Sequence, residues 1–311
     1  MTEKIAIVGA GLVGSGWAIV FARAGYEVSV FDPSSEVSAR VSDWIRRELK
    51  EHGELGLVDN ASTIIERISI AASLEAAMDG AIYVQESVFE TVPVKSEVAL
   101  AIDAFLKPGM IVGSSSSGIP ASKFTEGCKN RSQFLIAHPV NPPHLVPVVE
   151  LVPAPWTDPA LLAQCRALME KVGQVAVTVN REIDGFILNR LQGALLNEAW
   201  ALYSQGYATV EDIDATVSHG LGLRWAFMGP FETIDLNAPG GIVDYYCRLS
   251  PLYHEIALSR RQPEPWSQEA ISKAEQERRL VLSADALADR RAWRDEKLAK
   301  LSIFKRENSL V

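Results

Sequence analysis

The chain has 311 residues, of which 48% are hydrophobic and 22% charged, and a formal net charge of −9 at pH 7. That balance supplies apolar surface for one large or two medium domains and excludes wholesale disorder. The acidic excess, with no basic stripe, argues against a nucleic-acid partner. The three cysteines (Cys128, Cys165, Cys247) stand in no CxxC or Cys/His metal spacing, so they predict a reducing compartment, no disulfide framework and no metal site.

Residues 4–8 form a short β-rich run, 9–14 a turn, and 12–24 a helix by apolar spacing. The stretch 5–22 is nearly long and apolar enough to span a membrane. Four glycines (Gly9, Gly11, Gly14, Gly16) interrupt it, and no basic leader or cleavage site accompanies it. It reads as a buried strand followed by a buried helix, with no membrane partner. Residues 27–31 are a second strand, stopped by Asp32-Pro33, and 34–50 an amphipathic helix with Val37, Val41, Trp44, Ile45 and Leu49 on one face. Strands over 68–72 and 81–85, a helix over 92–105 and a buried strand over 110–112 come next. Residues 134–137, 148–152 and 174–179 are further β-rich runs. Repeated strand–helix–strand units predict an α/β fold: a doubly wound, mostly parallel sheet with helices on both faces. From residue 183 onward helical patterns dominate (187–206, 210–220, 230–236, 240–249), and a charged, amphipathic tail begins at Ser267. The expected division is therefore 1–182 and an all-α domain over 183–311.

Gly9-Ala10-Gly11-Leu12-Val13-Gly14 is a GxGxxG placed after a strand and at a helix start. Gly9 allows the tight turn, Gly11 lets backbone approach a pyrophosphate, and Gly14 lets the helix lie close to the strand. Asp32 ends the second strand near the expected spacing of about 20 residues, where a carboxylate accepts hydrogen bonds from an adenosine ribose. Pro33, Ser34 and Ser35 follow it with no arginine for a 2′-phosphate, which favours NAD over NADP.

His138 closes one β-rich run and Glu150 lies in the next, with a proline-rich loop between them. If these are adjacent strands, the carboxylate orients the imidazole as a general base; a histidine after a strand is otherwise an ordinary structural residue. The serines of Gly113-Ser114-Ser115-Ser116-Ser117-Gly118 either contact a substrate or cofactor or cap a helix. Asn189, near the start of the first long helix, either binds a ligand or bonds between helices.

Together these residues resemble the 3-hydroxyacyl-CoA dehydrogenase superfamily over nearly the whole chain, and most closely its lambda-crystallin and L-gulonate 3-dehydrogenase branch. The resemblance is carried by 11–14, 137–143, 149–153 and 182–192, and by two runs more specific to the branch, 220–230 and 290–296. It implies an N-terminal NAD-binding Rossmann domain, with His138 as base and Glu150 as its orienting partner. It also implies a reacting oxygen bonded by Asn189 and by Ser117, or by Ser116 if the acyl-CoA branch sets the alignment. The same resemblance makes Glu90, Lys95, Ser116 and Asn141 cofactor contacts beside Gly9, Gly11, Leu12, Val13, Gly14 and Asp32. Arg224 has no counterpart in the acyl-CoA enzymes; it is either a bidentate clamp for a substrate carboxylate or a surface or interface arginine. Trp225 and Phe227 either wall a pocket or fill core. His144-Leu145 stands where relatives tend to carry aromatics. The implied activity is oxidation of L-gulonate at C3 by a cytoplasmic homodimer. Another 3-hydroxy acid substrate (3-hydroxyacyl-CoA, 3-hydroxybutyrate or L-carnitine) or a non-catalytic, crystallin-like binding protein are the alternatives.

Overall fold

The computed structural model describes residues 2–260, 265–308 and 310. Its strands are β1 (Lys4–Val8), β2 (Glu27–Phe31), β3 (Ile68–Ile70), β4 (Ala81–Glu86), β5 (Ile111–Ser114), β6 (Phe134–Pro139), β7 (Val148–Pro153) and β8 (Val175–Thr178). They form one sheet in the order β3-β2-β1-β4-β5-β6-β7-β8. Every neighbouring pair is parallel except β6 and β7.

The central strand β1 is apolar on both faces because helices cover both. Ile5 and Ile7 join the core that holds Trp17 and Phe21, and Ala6 and Val8 join the opposite core with Val84, Val112 and Phe134. Residues Gly14–Ala22 of α1 (Leu12–Arg23) are all buried. Each large apolar side chain so enclosed contributes about 1.5–3 kcal/mol. The glycine-interrupted apolar stretch is thus a strand and helix of this core, and among the described residues no helix is long and apolar enough to cross a membrane.

The helix α2 (Ser35–Glu54) is capped by Ser34, whose hydroxyl accepts from the Val37 N–H, and it buries Val41, Ile45 and Leu49. It runs past the expected end at residue 50, and the same stripe carries His52 into the interior. A helix over Pro159–Lys171 has no counterpart in the sequence reading. Pro159 stands in its first turn, where a missing N–H costs nothing. The helix expected to end at 249 spans Gly241–Ser259 through Pro251, and the charged tail is two helices, Gln268–Val281 and Leu287–Glu307.

Contacts divide the chain into two compact units, Met1–Leu191 with Asp295–Ile303, and Gln192–Arg294 with Phe304–Val311. The first turn of the helix Leu188–Ser204 goes with the sheet unit because it is hydrogen-bonded to Glu150 and Ser117 there. The second unit is helical, with a small core of Tyr203, Ala270 and Ala274 packed by Trp200, Val210 and Ile213.

Candidate active site

The strand order reverses between β1 and β4, and in such sheets ligands bind at the C-terminal strand ends beside the reversal. The Gly9–Gly14 loop, Glu90 and the serine loop follow strands that end at this edge, and His138 stands near the C-terminal end of β6.

Gly9 has φ +94°, and a Cβ there would lie 2.7 Å from the Ser87 backbone. A Cβ on Gly14 would lie 1.9 Å from the Gly9 carbonyl oxygen, so only hydrogen fits. A Cβ on Gly11 would meet nothing within 4 Å, which leaves room beside the backbone. No side chain caps the start of α1, and Leu12 is exposed there. Uncapped N–H groups beside open space are what a pyrophosphate requires. Asp32 Oδ2 accepts from the Ala10 N–H and Oδ1 from the Ser34 N–H, each at 2.9 Å, so the carboxylate stands against the glycine loop. These residues fit NAD, and the negative charge at Asp32 opposes a 2′-phosphate.

His138 and Glu150 are opposite partners in the antiparallel β6–β7 register. His138 Nδ1 lies 2.8 Å from Glu150 Oε2. Glu150 Oε1 accepts from the N–H groups of Ile187 at 2.8 Å and Leu188 at 2.9 Å. Burial would raise the Glu150 pKa, but the bonds to His138, Leu188 and Ile187 outweigh it and hold the carboxyl below its ordinary value. A carboxylate acceptor at Nδ1 keeps the proton there and leaves Nε2 as the basic nitrogen, which has no hydrogen-bond partner among the described residues. The buried Phe186 packs 5.7 Å from the imidazole centroid and has φ +50°, following Gly185 at +76°. This left-handed pair turns the chain so that the next two N–H groups meet Glu150, a strained conformation of the kind tertiary contacts must hold. Sequence reasoning passed over Phe186, although Gly185 just before it marks such a turn.

Glu90 Oε1 accepts from Ser116 Oγ at 2.7 Å and from the N–H groups of Ser117, Gly118 and Ile119. Burial works to raise its pKa, and these bonds and the charge of Lys95 lower it on balance. The carboxylate therefore organises the serine loop. Ser116 is fully buried and Ser117 exposed, so of the two only Ser117 offers its hydroxyl to a ligand. Asn189 Nδ2 donates to the Ser117 carbonyl oxygen, which joins these two residues directly. Asn141 is exposed just past β6.

Two of the expected cofactor contacts, Lys95 and Ser116, make their hydrogen bonds within the protein. Lys95 is buried, and its ammonium lies 3.1 Å from both carboxylate oxygens of Glu86. Ser116 is turned inward onto Glu90 and the Ile119 carbonyl oxygen. Neither presents a polar group outward. Glu86, missed from sequence, also accepts from Ser114 Oγ and the Val88 N–H. Its position as the last residue of β4 was the available signal. Arg224 lies half-buried in the second unit, on the short helix Gly222–Trp225, with Trp225 and the following Phe227 both exposed.

Residues 4–183 match the NAD binding domain of 3-hydroxyacyl-CoA dehydrogenase and residues 185–279 its C-terminal domain. Lambda-crystallin of Oryctolagus cuniculus is 38% identical over 308 residues, 97% of this chain and 96% of that one. L-carnitine dehydrogenase of Streptomyces coelicolor is 35% identical over 296 residues, 94% of this chain and 90% of that one. Among solved structures, an NAD+-dependent dismutase, 5-formyl-3-hydroxy-2-methylpyridine 4-carboxylic acid 5-dehydrogenase, superposes with a TM-score of 0.78 at 26% identity over 98% of both chains.

Proposed function

The chain belongs to the 3-hydroxyacyl-CoA dehydrogenase family, and we propose that within it the substrate is a small hydroxy acid, L-gulonate, oxidised to 3-dehydro-L-gulonate. It is an NAD-dependent oxidoreductase acting on a CH–OH group.

His138 Nε2 takes the hydroxyl proton, and Glu150 holds the ring in the required tautomer and offsets the charge that develops on it. The Ser117 hydroxyl and the Asn189 amide bind the reacting oxygen. Gly9, Gly11, Leu12, Val13 and Gly14 bind the pyrophosphate, Asp32 the adenosine ribose, and Glu90 and Asn141 the nicotinamide half. Ser116 and Lys95 act one step back, by holding Glu90 and Glu86. Bound NAD supplies the hydride acceptor, and loss of proton and hydride together turns CH–OH into C=O. What carries the reading is the buttressed imidazole at the same sheet edge as the uncapped glycine loop.

Arg224 is assigned to the substrate carboxylate, which a small hydroxy acid has in place of a CoA handle. The second unit exposes Tyr207, Phe231, Val243, Tyr246 and Leu280, and a second copy of this chain in a cytoplasmic homodimer would cover such surface. L-carnitine is the second reading, favoured by the Streptomyces relative. The test is NADH formation with L-gulonate, L-carnitine, 3-hydroxybutyrate and 3-hydroxybutyryl-CoA. The highest kcat/KM on L-gulonate is expected. A higher value on another member replaces the substrate assignment, and no turnover on any, with NAD still bound, assigns a binding protein instead.

A further inference from the structure

Three side chains outside the proposed redox site converge on the face of α2 that turns toward the β6–β7 connection. Glu48 and His52 stand one turn apart on α2, which places them on one face of that helix. His144 comes from the connection itself. Glu48 Oε2 lies 3.4 Å from His144 Nε2 and 3.9 Å from His52 Nε2, and the imidazole centroids are 5.1 Å apart. One ligand atom from each residue falls within 4.8 Å of the others.

The two imidazoles are almost wholly buried, at 3% and 5% exposure for His52 and His144, while Glu48 is partly open to solvent. Neither nitrogen of His144 makes a hydrogen bond, and neither does His52 Nδ1. Buried polar atoms are nearly always satisfied, so His144 Nε2, with only a long 3.4 Å approach to the Glu48 carboxylate, has an unfilled place for a ligand on the side it shares with Glu48 and His52. His144 is not free to turn away. Its Nδ1 packs on Gly16, where a Cβ would come within 2.9 Å, and the Trp44 ring meets it edge-on at 5.8 Å.

We propose that Glu48, His52 and His144 bind one divalent transition-metal ion, zinc foremost, through Oε2 and the two Nε2 atoms with water as fourth ligand. Two imidazoles and a carboxylate are a zinc donor set, and bonds of about 2.0–2.2 Å in a tetrahedron put neighbouring donors about 3.3 Å apart. The 3.4 Å pair already has that spacing, and the 3.9 Å pair needs only a small rotation of the half-exposed Glu48. The ion clips α2 to the segment that joins the strands of His138 and Glu150.

The test uses the full chain stripped of metal with a chelator. Titration with Co2+ should give one equivalent bound per chain, with the visible bands of four-coordinate cobalt, and zinc should displace it. Zinc at about a hundredfold above Kd should raise Tm by about 5 °C. His144→Phe, which fills the same space, and Glu48→Gln, a milder change at the open side, should each weaken binding by about tenfold or more and cut the zinc-dependent Tm shift to about half or less at the same zinc concentration. Should one variant fail to fold, the other carries the comparison. Absence of stoichiometric binding by the unaltered chain, or an unchanged cobalt spectrum and affinity in a folded variant, overturns the site.

Discussion

His138 and Glu150 face each other across the antiparallel β6–β7 pair with Nδ1 and Oε2 2.8 Å apart, and the other carboxylate oxygen is held by the N–H groups of Ile187 and Leu188. The carboxylate thus joins the imidazole to the start of the helix Leu188–Ser204, from which Asn189 reaches Ser117. The proposed base and oxygen-binding residues are positioned by one connected set of bonds.

Replacing His138 by alanine removes the proposed proton acceptor and leaves the glycine loop untouched. Turnover should fall by about 10²–10⁴-fold, while NAD binding followed by fluorescence stays within a factor of about two. Near-native turnover would discard His138 as the base.

Glu150 makes stability depend on acid. Its native carboxyl lies below the ordinary value of 4.5. A carboxyl depressed on folding contributes stability that is fully present above pH 4.5 and is lost as pH falls through the native value. Urea midpoints of the unaltered chain should therefore decline below pH 4.5. Glu150→Gln, which has no charge to lose there, should show a lower midpoint at neutral pH and a shallower decline in acid.

Asp32→Ala removes the carboxylate that would meet the adenosine ribose. The KM for NAD should rise by about tenfold, the loss of one charge-assisted hydrogen bond, and discrimination against NADP should shrink. Steady-state kinetics with both cofactors measure this, and unchanged constants would move the ribose elsewhere.

Lys95→Met separates a buried structural cation from a cofactor contact. It leaves the Glu86 carboxylate enclosed without its counter-ion, a loss of about 3–5 kcal/mol, less whatever the Val88 N–H and Ser114 hydroxyl retain. Urea unfolding should show the drop, with the KM for NAD altered far less than stability. The opposite pattern would return Lys95 to the cofactor.

The local parts of this protein were readable from sequence because each is determined by neighbours a few positions away. The glycine spacing of residues 9–14 dictates a turn and a close helix whatever else is nearby, and that element is present as expected. The pairing of His138 with Glu150 was within reach because only a short loop separates the two strands. Burial of polar groups was not readable, since it depends on what the rest of the chain brings over them. Lys95 and Ser116 carry the residue types of cofactor contacts, yet packing turned both inward onto carboxylates from β4 and the turn after it.

Glu48, His52 and His144 meet through elements far apart in sequence, a proximity that no local spacing shows. Sequence alone determined the sheet and the dinucleotide loop, because those follow from short-range periodicity and backbone geometry, and it pointed to the family through the resemblance of residues 11–14, 137–143, 149–153 and 182–192. Only the tertiary structure decided which serine faces outward, which charged groups are enclosed and which histidines share a site. Those outcomes are set by contacts between distant segments, whose relative placement exists only once the core has closed.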